Sequence, residues 1–268
     1  MALAVQAVPS TWRRLTFLSD VHLHAEAPGT HRAWAGALEG LSTDALFILG
    51  DLFEAWVGDD VLDHPTHGAF WRGCAETLHR ASQRFPIFFM PGNRDFLVGD
   101  RLLAACGMQR LADPTVLNAG ANDRWLLGHG DAWCLADAPY QRFRTEVRST
   151  QWQTGFLAQP LETRMEQVRA LRQQSQQAQA MAPLWADVDE ATTGALMAEH
   201  RAHTLIHGHT HRPQHGPWAG GRTRWVLSDW EADASPPRLA LVQAQRVSAN
   251  TRFNFEEKSL LAHSQQGF

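Results

Sequence analysis

The chain has 268 residues, 44% hydrophobic and 19% charged, with a formal net charge of −4. That suits a globular protein with a full core, built as one large domain or as one domain with an insertion, and it argues against a generally nucleic-acid-binding surface. Cys74, Cys106 and Cys134 are too few and too scattered for a disulfide framework, and point to a reducing compartment.

Five short apolar runs punctuate the chain, each ending in a polar cluster. Residues 15–18 lead into Ser19-Asp20-Val21-His22, and 45–49 into Gly50-Asp51. Residues 87–90 lead into Pro91-Gly92-Asn93-Arg94-Asp95, and 125–127 into Gly128-His129-Gly130-Asp131. Residues 204–206 lead into His207-Gly208-His209-Thr210-His211. Each run reads as a buried strand and each cluster as the loop at its C-terminal end, so the clusters are expected to share one sheet edge. Helices are expected over 30–41, 68–83 and 100–106, the last capped by Asp100 and ended by Gly107. This alternation predicts an α/β protein. Residues 139–200 lack strand signals and are rich in Gln, Arg and Ala. Phe143 with Val147, and Val168 with Leu171 and Arg172, have near-helical spacing, so two to four helices are expected there. The division is therefore a core of 1–138 and 201–268 with a helical insertion of 139–200. The Gln-rich run 173–179 reads as a solvated helix face. Short β-like runs from 225 to about 255 predict a second, antiparallel sheet. The first 15 residues have no cationic region ahead of their short apolar run and make a poor signal peptide. No apolar run is long enough for a bilayer.

Fourteen histidines raise the expectation of metal binding. The clusters supply seven candidate ligands: Asp20, His22, Asp51, Asn93, His129, His207 and His209. Taken singly, Gly-Asp and Gly-Asn are ordinary turns. Taken together and in order, they form a mixed oxygen and nitrogen set without thiolate, which suits Mn, Fe, Co or Zn. Seven ligands are too many for one ion. A bridging carboxylate lets them hold two, roughly 3.5–4 Å apart, which polarise phosphoryl oxygens and lower the pKa of water. His64, His67, His79, His200, His203 and His263 read as surface or capping residues, whereas His24, His31, His211 and His215 stay open.

The ordered pattern D-x-H, G-D, G-N, H, G-H-x-H, from Asp20 to His211, resembles the calcineurin-like metallophosphoesterases. The resemblance implies two β-sheets packed as a sandwich, flanked by helices, with metals at one edge. It assigns Asp20, His22, Asp51 and His209 to one metal, and Asp51, Asn93, His129 and His207 to the other, with Asp51 as the bridge. The flanks, Gly50 through Asp60, Gly92 through Leu97, His129-Gly130-Asp131 and Tyr140-Gln141-x-Phe143-Arg144, resemble one bacterial branch of that family. Its members act in lipid A synthesis, using manganese to split a UDP-linked 2,3-diacylated glucosamine into UMP and the lipid sugar 1-phosphate. By that likeness the chain takes two Mn(2+) ions and a UDP-diacylglucosamine substrate, and a metal-activated water attacks the α-phosphorus. It is expected to sit peripherally on the cytoplasmic side of the bacterial inner membrane, with no nucleic acid and no obligate protein partner.

Most of the wider family carries a histidine after Gly-Asn, where Arg94 stands here. A departing phosphate is already a stable anion and hardly needs a proton, whereas a guanidinium stabilises charge developing on phosphoryl oxygens. Arg94, Asp51, Asn93 and His129 are thus the expected catalytic set. Asn93, Arg94, Asp137, Tyr140, Ser175, Gln179 and His207 are the expected substrate contacts. Near Ser175 relatives carry an asparagine and then a lysine, where this chain has Gln179 and Ala182. The insertion is expected to act as a lid. Trp152, Phe156, Leu157, Leu161, Met165 and Leu171 either line an acyl groove or pack the insertion on the core. Arg144, Arg148, Arg164, Arg169 and Arg172 either meet phosphates or form a solvated face. The alternatives are another binuclear phosphoesterase, for a cyclic nucleotide, dinucleoside polyphosphate or phosphoprotein, and a binding module that kept the fold without catalysis.

Overall fold

A computed structural model describes residues 3–120, 123–181, 186–247 and 253–260, the side chains of 175–181 excepted. In chain order come β1 (Ala4–Ala7), β2 (Arg14–Leu18), α1 (Pro28–Gly40), β3 (Ala45–Leu49), α2 (Gly68–Ser82), β4 (Ile87–Met90), α3 (Asp100–Cys106), β5 (Met108–Arg110), β6 (Thr115–Gly120) and β7 (Asp123–Leu127). Four helices follow: α4 (Ala138–Val147), α5 (Thr150–Leu157), α6 (Leu161–Met181) and α7 (Glu190–Glu199). The chain then closes with β8 (Thr204–His207), β9 (Gln214–Trp218), β10 (Arg222–Val226), β11 (Ala240–Arg246) and β12 (Phe253–Ser259).

Two mixed six-stranded sheets result, one in the order β1-β6-β7-β8-β10-β9 and the other β12-β11-β2-β3-β4-β5. Their facing sides meet in a core of Leu15, Phe17, Phe47, Leu49, Phe88 and Met90 from one sheet and Leu117, Trp125, Leu127 and Ile206 from the other. The intervening residues Leu46, Ile48, Ile87 and Phe89 point the opposite way, onto Trp34, Cys74, Leu78 and Leu102 of α1, α2 and α3. Strands covered on both faces must be apolar throughout, which is why 45–49 and 87–90 read as unbroken apolar runs. The α/β sandwich flanked by helices is as expected.

The C-terminal strands differ from the sequence expectation of one separate antiparallel sheet. β9 and β10 extend the first sheet beside β8, and β11 and β12 extend the second beside β2. Each pair covers a strand edge the earlier elements leave open, and local pattern does not say which edge. Helix α3 also starts differently, with Gly99 as its cap residue and Asp100 as its first turn. The capping carboxylate is Asp59, whose oxygens accept the N–H groups of Gly99 (2.9 Å) and Leu102 (3.0 Å). Gly107 does end the helix, at φ 68°, a left-handed turn that favours glycine.

All four insertion helices lie between β7 and β8. Trp152, Leu161, Met165 and Val168 pack against the core that contains Trp56 and Val57, and Phe156 is buried within it. Met197 of α7 packs with Val116, Leu126 and Leu205 on the outer face of the first sheet. Packing on the core therefore accounts for most of the apolar residues considered for an acyl groove. Leu157 and Leu171 remain exposed, as do Leu135 and Phe143.

Candidate active site

The five polar clusters do converge at one edge of the sandwich, where β2, β3, β4, β7 and β8 end. The loops are laced together by main-chain hydrogen bonds, such as His22 N–H to Asp51 O (3.0 Å) and Gly208 N–H to His129 O (2.9 Å). Asp20, His22, Asp51, His209 and His211 all have left-handed backbone, at φ 52°, 52°, 52°, 65° and 50°. Non-glycine residues there cost roughly 1 kcal/mol or more each and persist only where surrounding structure enforces them. The glycines allow the close approach. A Cβ at Gly92 would collide with the Asp51 carboxylate, and one at Gly208 with that of Asp20.

Two overlapping donor groups emerge. Asp20, His22 and His211 place one ligand atom each within 4.8 Å of one another, as do Asp20, Asp51 and His129. His22 Nε2 stands 3.2 Å from His211 Nε2, which is 3.3 Å from Asp20 Oδ1. Deeper in, Asn93 Oδ1 is 2.9 Å from both His129 Nε2 and His209 Nδ1, and Asp51 Oδ1 is 3.5 Å from His129 Nε2. Ligand atoms bound at about 2.1 Å to a common ion stand about 3.0–3.4 Å apart, so these spacings suit shared coordination. Two carboxylates, one amide oxygen and four imidazoles form a set that fits a first-row divalent cation.

His211 enters this cluster and His207 does not. His207 follows Leu205 on the outer face of its strand, because side chains alternate. Its Nδ1 lies 2.8 Å from Gly208 O, and its Nε2 accepts a 2.8 Å hydrogen bond from Arg224 Nε. Both nitrogens are thus engaged by protein, against the expectation that His207 ligates a metal or touches substrate. The signal was present in the sequence: G-H-x-H, read literally at Gly208-His209-Thr210-His211, selects His209 and His211.

Asp95 is the other residue whose part is legible only in three dimensions. It is fully buried, and both of its oxygens accept from main-chain N–H groups. Its Oδ1 accepts Gly92 N–H (2.7 Å) and Asp51 N–H (3.3 Å), and its Oδ2 accepts Leu52 N–H (2.8 Å) and Phe53 N–H (3.4 Å). One carboxylate therefore joins the loop bearing Asp51 to the loop bearing Asn93. Burial, and then the neighbouring Asp51 charge, push Asp95 up to about 7.

Arg94 donates its own N–H to Asp51 Oδ1 at 2.8 Å. Its side-chain Nε is buried and has no hydrogen-bond partner among the described residues. Tyr140 OH donates to Asp131 Oδ2 (2.7 Å), and its ring centre lies 6.0 Å from that of His209. Asp137 caps α4 by accepting Tyr140 N–H (3.0 Å), at an exposed position. The side chains of Ser175 and Gln179 lie outside the described residues. Of the five insertion arginines singled out in the sequence, four have protein partners. Arg144 binds Asp131, Arg148 donates to Gly92 O, Arg164 grips Asp60, and Arg172 pairs with Glu54.

The buried charges bias one another. Burial alone would raise Asp20, but His211, His129 and His22 hold it well below the usual carboxylate range. Burial works against a charge on His129, yet Asp51, Asp20 and Asp131 push it up to about 9. Burial and the adjacent His129 lower His209 to about 3, which keeps a neutral imidazole available as a ligand.

Residues 13–213 match the family of calcineurin-like phosphoesterases. A UDP-2,3-diacylglucosamine hydrolase of Chromohalobacter salexigens is 42% identical to this chain over 83% of its length and 94% of the relative. One of Aromatoleum aromaticum is 44% identical over 81% and 89%. A dimetal phosphatase of Danio rerio shares the fold, with a TM-score of 0.52 and 12% identity over 93% of this chain and 96% of that one. The geometry at the sheet edge and these likenesses agree that the chain belongs to the calcineurin-like phosphoesterase family.

Proposed function

We propose that this chain is a metal-dependent hydrolase that splits the diphosphate of UDP-2,3-diacylglucosamine into UMP and 2,3-diacylglucosamine 1-phosphate, a step of lipid A synthesis. The names of its relatives supply the substrate. The carrying observation in the structure is Arg94, beside Asn93 and bonded through its own N–H to Asp51, with a buried guanidinium nitrogen left over for a ligand oxygen. A diphosphate puts negative oxygens at that place and leaves as a stable anion, so a fixed cation serves the reaction better than a proton donor.

Asp20, His22, Asp51 and His211 would hold one cation, and Asp51, Asn93, His129 and His209 a second. Manganese, at two ions per chain, is the proposed load, supported by the mixed carboxylate, amide and imidazole donors. Such ions supply Lewis acidity toward phosphoryl oxygen and lower the pKa of a nearby water. The chain's residues do the rest. Asp95 keeps the Asp51 and Asn93 loops in register. Asp131 orients Tyr140 and Arg144 at the mouth of the site. Arg94 meets the charge that builds on the α-phosphate. Tyr140 and Asp137, with Ser175 and Gln179 from α6, are the proposed contacts for the rest of the substrate.

Peripheral attachment to the cytoplasmic face of the inner membrane is part of the same proposal. Leu135, Phe143, Leu157 and Leu171 are 40–45% exposed and all belong to the insertion or its entry, on the route acyl chains would take. Among the described residues no helix is long and apolar enough to cross a membrane.

The test is turnover of the UDP-lipid in oxygen-18 water, read by mass spectrometry. Label in UMP is expected. Label in the lipid phosphate, or faster turnover of a cyclic nucleotide than of the UDP-lipid, would overturn the assignment.

A further inference from the structure

The segment Gly50–Asp60 carries three acidic side chains beyond the ligand Asp51, and each has a distinct partner. Asp59 caps α3 and accepts Trp56 Nε1–H at 2.9 Å. Asp60 is gripped by Arg164 of α6 (Nη1 to Oδ1, 3.0 Å), a guanidinium only 2% exposed that also donates to Val57 O (2.5 Å) and Gln159 O (3.1 Å). Glu54 has two partners at once. Its Oε1 accepts from Arg172 Nη2, and its Oε2 lies 2.7 Å from His22 Nδ1.

On α6, Leu161, Arg164, Met165, Val168 and Arg172 recur at three- and four-residue spacing, so they form one stripe facing the core. The helix is pinned at both ends of that stripe, to Asp60 and to Glu54. The second pin is in series with the metal site. A carboxylate on one imidazole nitrogen fixes the ring's tautomer and plane and aims the other nitrogen at the metal. Here the other nitrogen, Nε2, faces Asp20 Oδ1 at 3.9 Å and His211 at 3.2 Å. Glu54 is 12% exposed at its side chain and Arg172 31%, so the link is shielded from water but breaks if α6 lifts.

We propose that Glu54 is a positioning residue that orients His22 for the cation and, through Arg172, joins that orientation to the seating of helix α6. Cation binding and closure of the helix then favour one another, since coupling between two sites is reciprocal. The inference rests on the metal-binding reading given above.

The test uses full-length protein stripped of metal by chelation, and manganese as the probe. Two quantities are read: manganese affinity by calorimetry, and the rate of tryptic cleavage after Arg169 with and without manganese. In the unmodified chain, manganese is expected to bind and to slow that cleavage. Glu54→Gln, which keeps the shape, is expected to weaken manganese about 10–100-fold, as loss of a partner behind a ligating histidine does. Arg172→Ala should weaken manganese less and abolish its protection of α6, and Arg172→Lys should restore part of both. A merely structural role would lower the melting temperature of the metal-free variants and leave manganese affinity alone, which would overturn the coupling. So would α6 cleavage indifferent to manganese in a chain that binds it. An unmodified chain that binds no manganese would overturn the metal reading and the coupling together.

Discussion

Replacing Asp95 by asparagine keeps the side-chain shape and removes one acceptor oxygen, so it isolates what the second oxygen contributes. Four main-chain N–H groups point at its two oxygens, two at close range: Gly92 (2.7 Å) and Leu52 (2.8 Å). An amide has one oxygen, so only one side can still accept. The other side turns an NH2 toward N–H donors. A buried hydrogen bond contributes about 1 kcal/mol, and a donor left unsatisfied costs about 2 kcal/mol more. The expected loss is about 3 kcal/mol, which for a chain of this size corresponds to a fall in Tm of about 6–12 °C. Thermal unfolding followed by circular dichroism, on chelated protein so that metal loss does not contribute, reads this directly. Asp100→Asn is the control, at a fully exposed side chain five positions along, and should leave Tm within about 1 °C. A fall below about 2 °C in Asp95→Asn would refute the view that this carboxylate joins the two ligand loops.

Arg94→Ala should lower kcat about 10²–10³-fold, the usual loss for one transition-state contact, with manganese content unchanged by elemental analysis; equal losses of metal and turnover would contradict it. His211→Ala should reduce the manganese bound per chain, whereas His207→Ala should not, because His207 faces Arg224 and Gly208; the opposite result would restore the ligand set expected from the sequence. Manganese and a proton compete for His129, whose protonated form is favoured up to about 9. Affinity should therefore rise with pH from the ordinary histidine range toward 9, by up to roughly tenfold per unit, and calorimetric titrations at three pH values would expose a flat profile. Folding of the chelated protein has the opposite sign: the stabilisation that the His129 charge gives is present below the ordinary histidine range and fades as pH rises through about 9.

The strands and loops of the site were legible because their signals are local. An apolar run such as 45–49 or 87–90, stopped by Gly-Asp or Gly-Asn, carries strand, turn and ligand within a few residues. The order of five such units identified the family before any contact was known. The same locality limited the reading. His207, His209 and His211 follow one another at two-residue steps, and imidazole chemistry alone does not rank them. Strand alternation carries His207 to the outer face with Leu205. Left-handed turns at His209 and His211, at φ 65° and 50°, swing the other two inward. Such turns are uncommon in any residue but glycine, and local sequence alone does not select them. Only the packed loops around them, held by contacts such as Gly208 N–H to His129 O, make them stable.

Sequence by itself thus determined the fold class, and it named six of the seven side chains that the structure gathers at one sheet edge. Tertiary structure decided the rest. It seated the C-terminal strands on two different sheets, turned His207 away from the cluster that His211 enters, and brought Asp95 to the main chain of two loops. Arg172 meets Glu54 across 118 positions of chain, and Asp95 meets Leu52 across 43. Pairings of that range depend on how whole layers stack, which no window of neighbouring residues encodes.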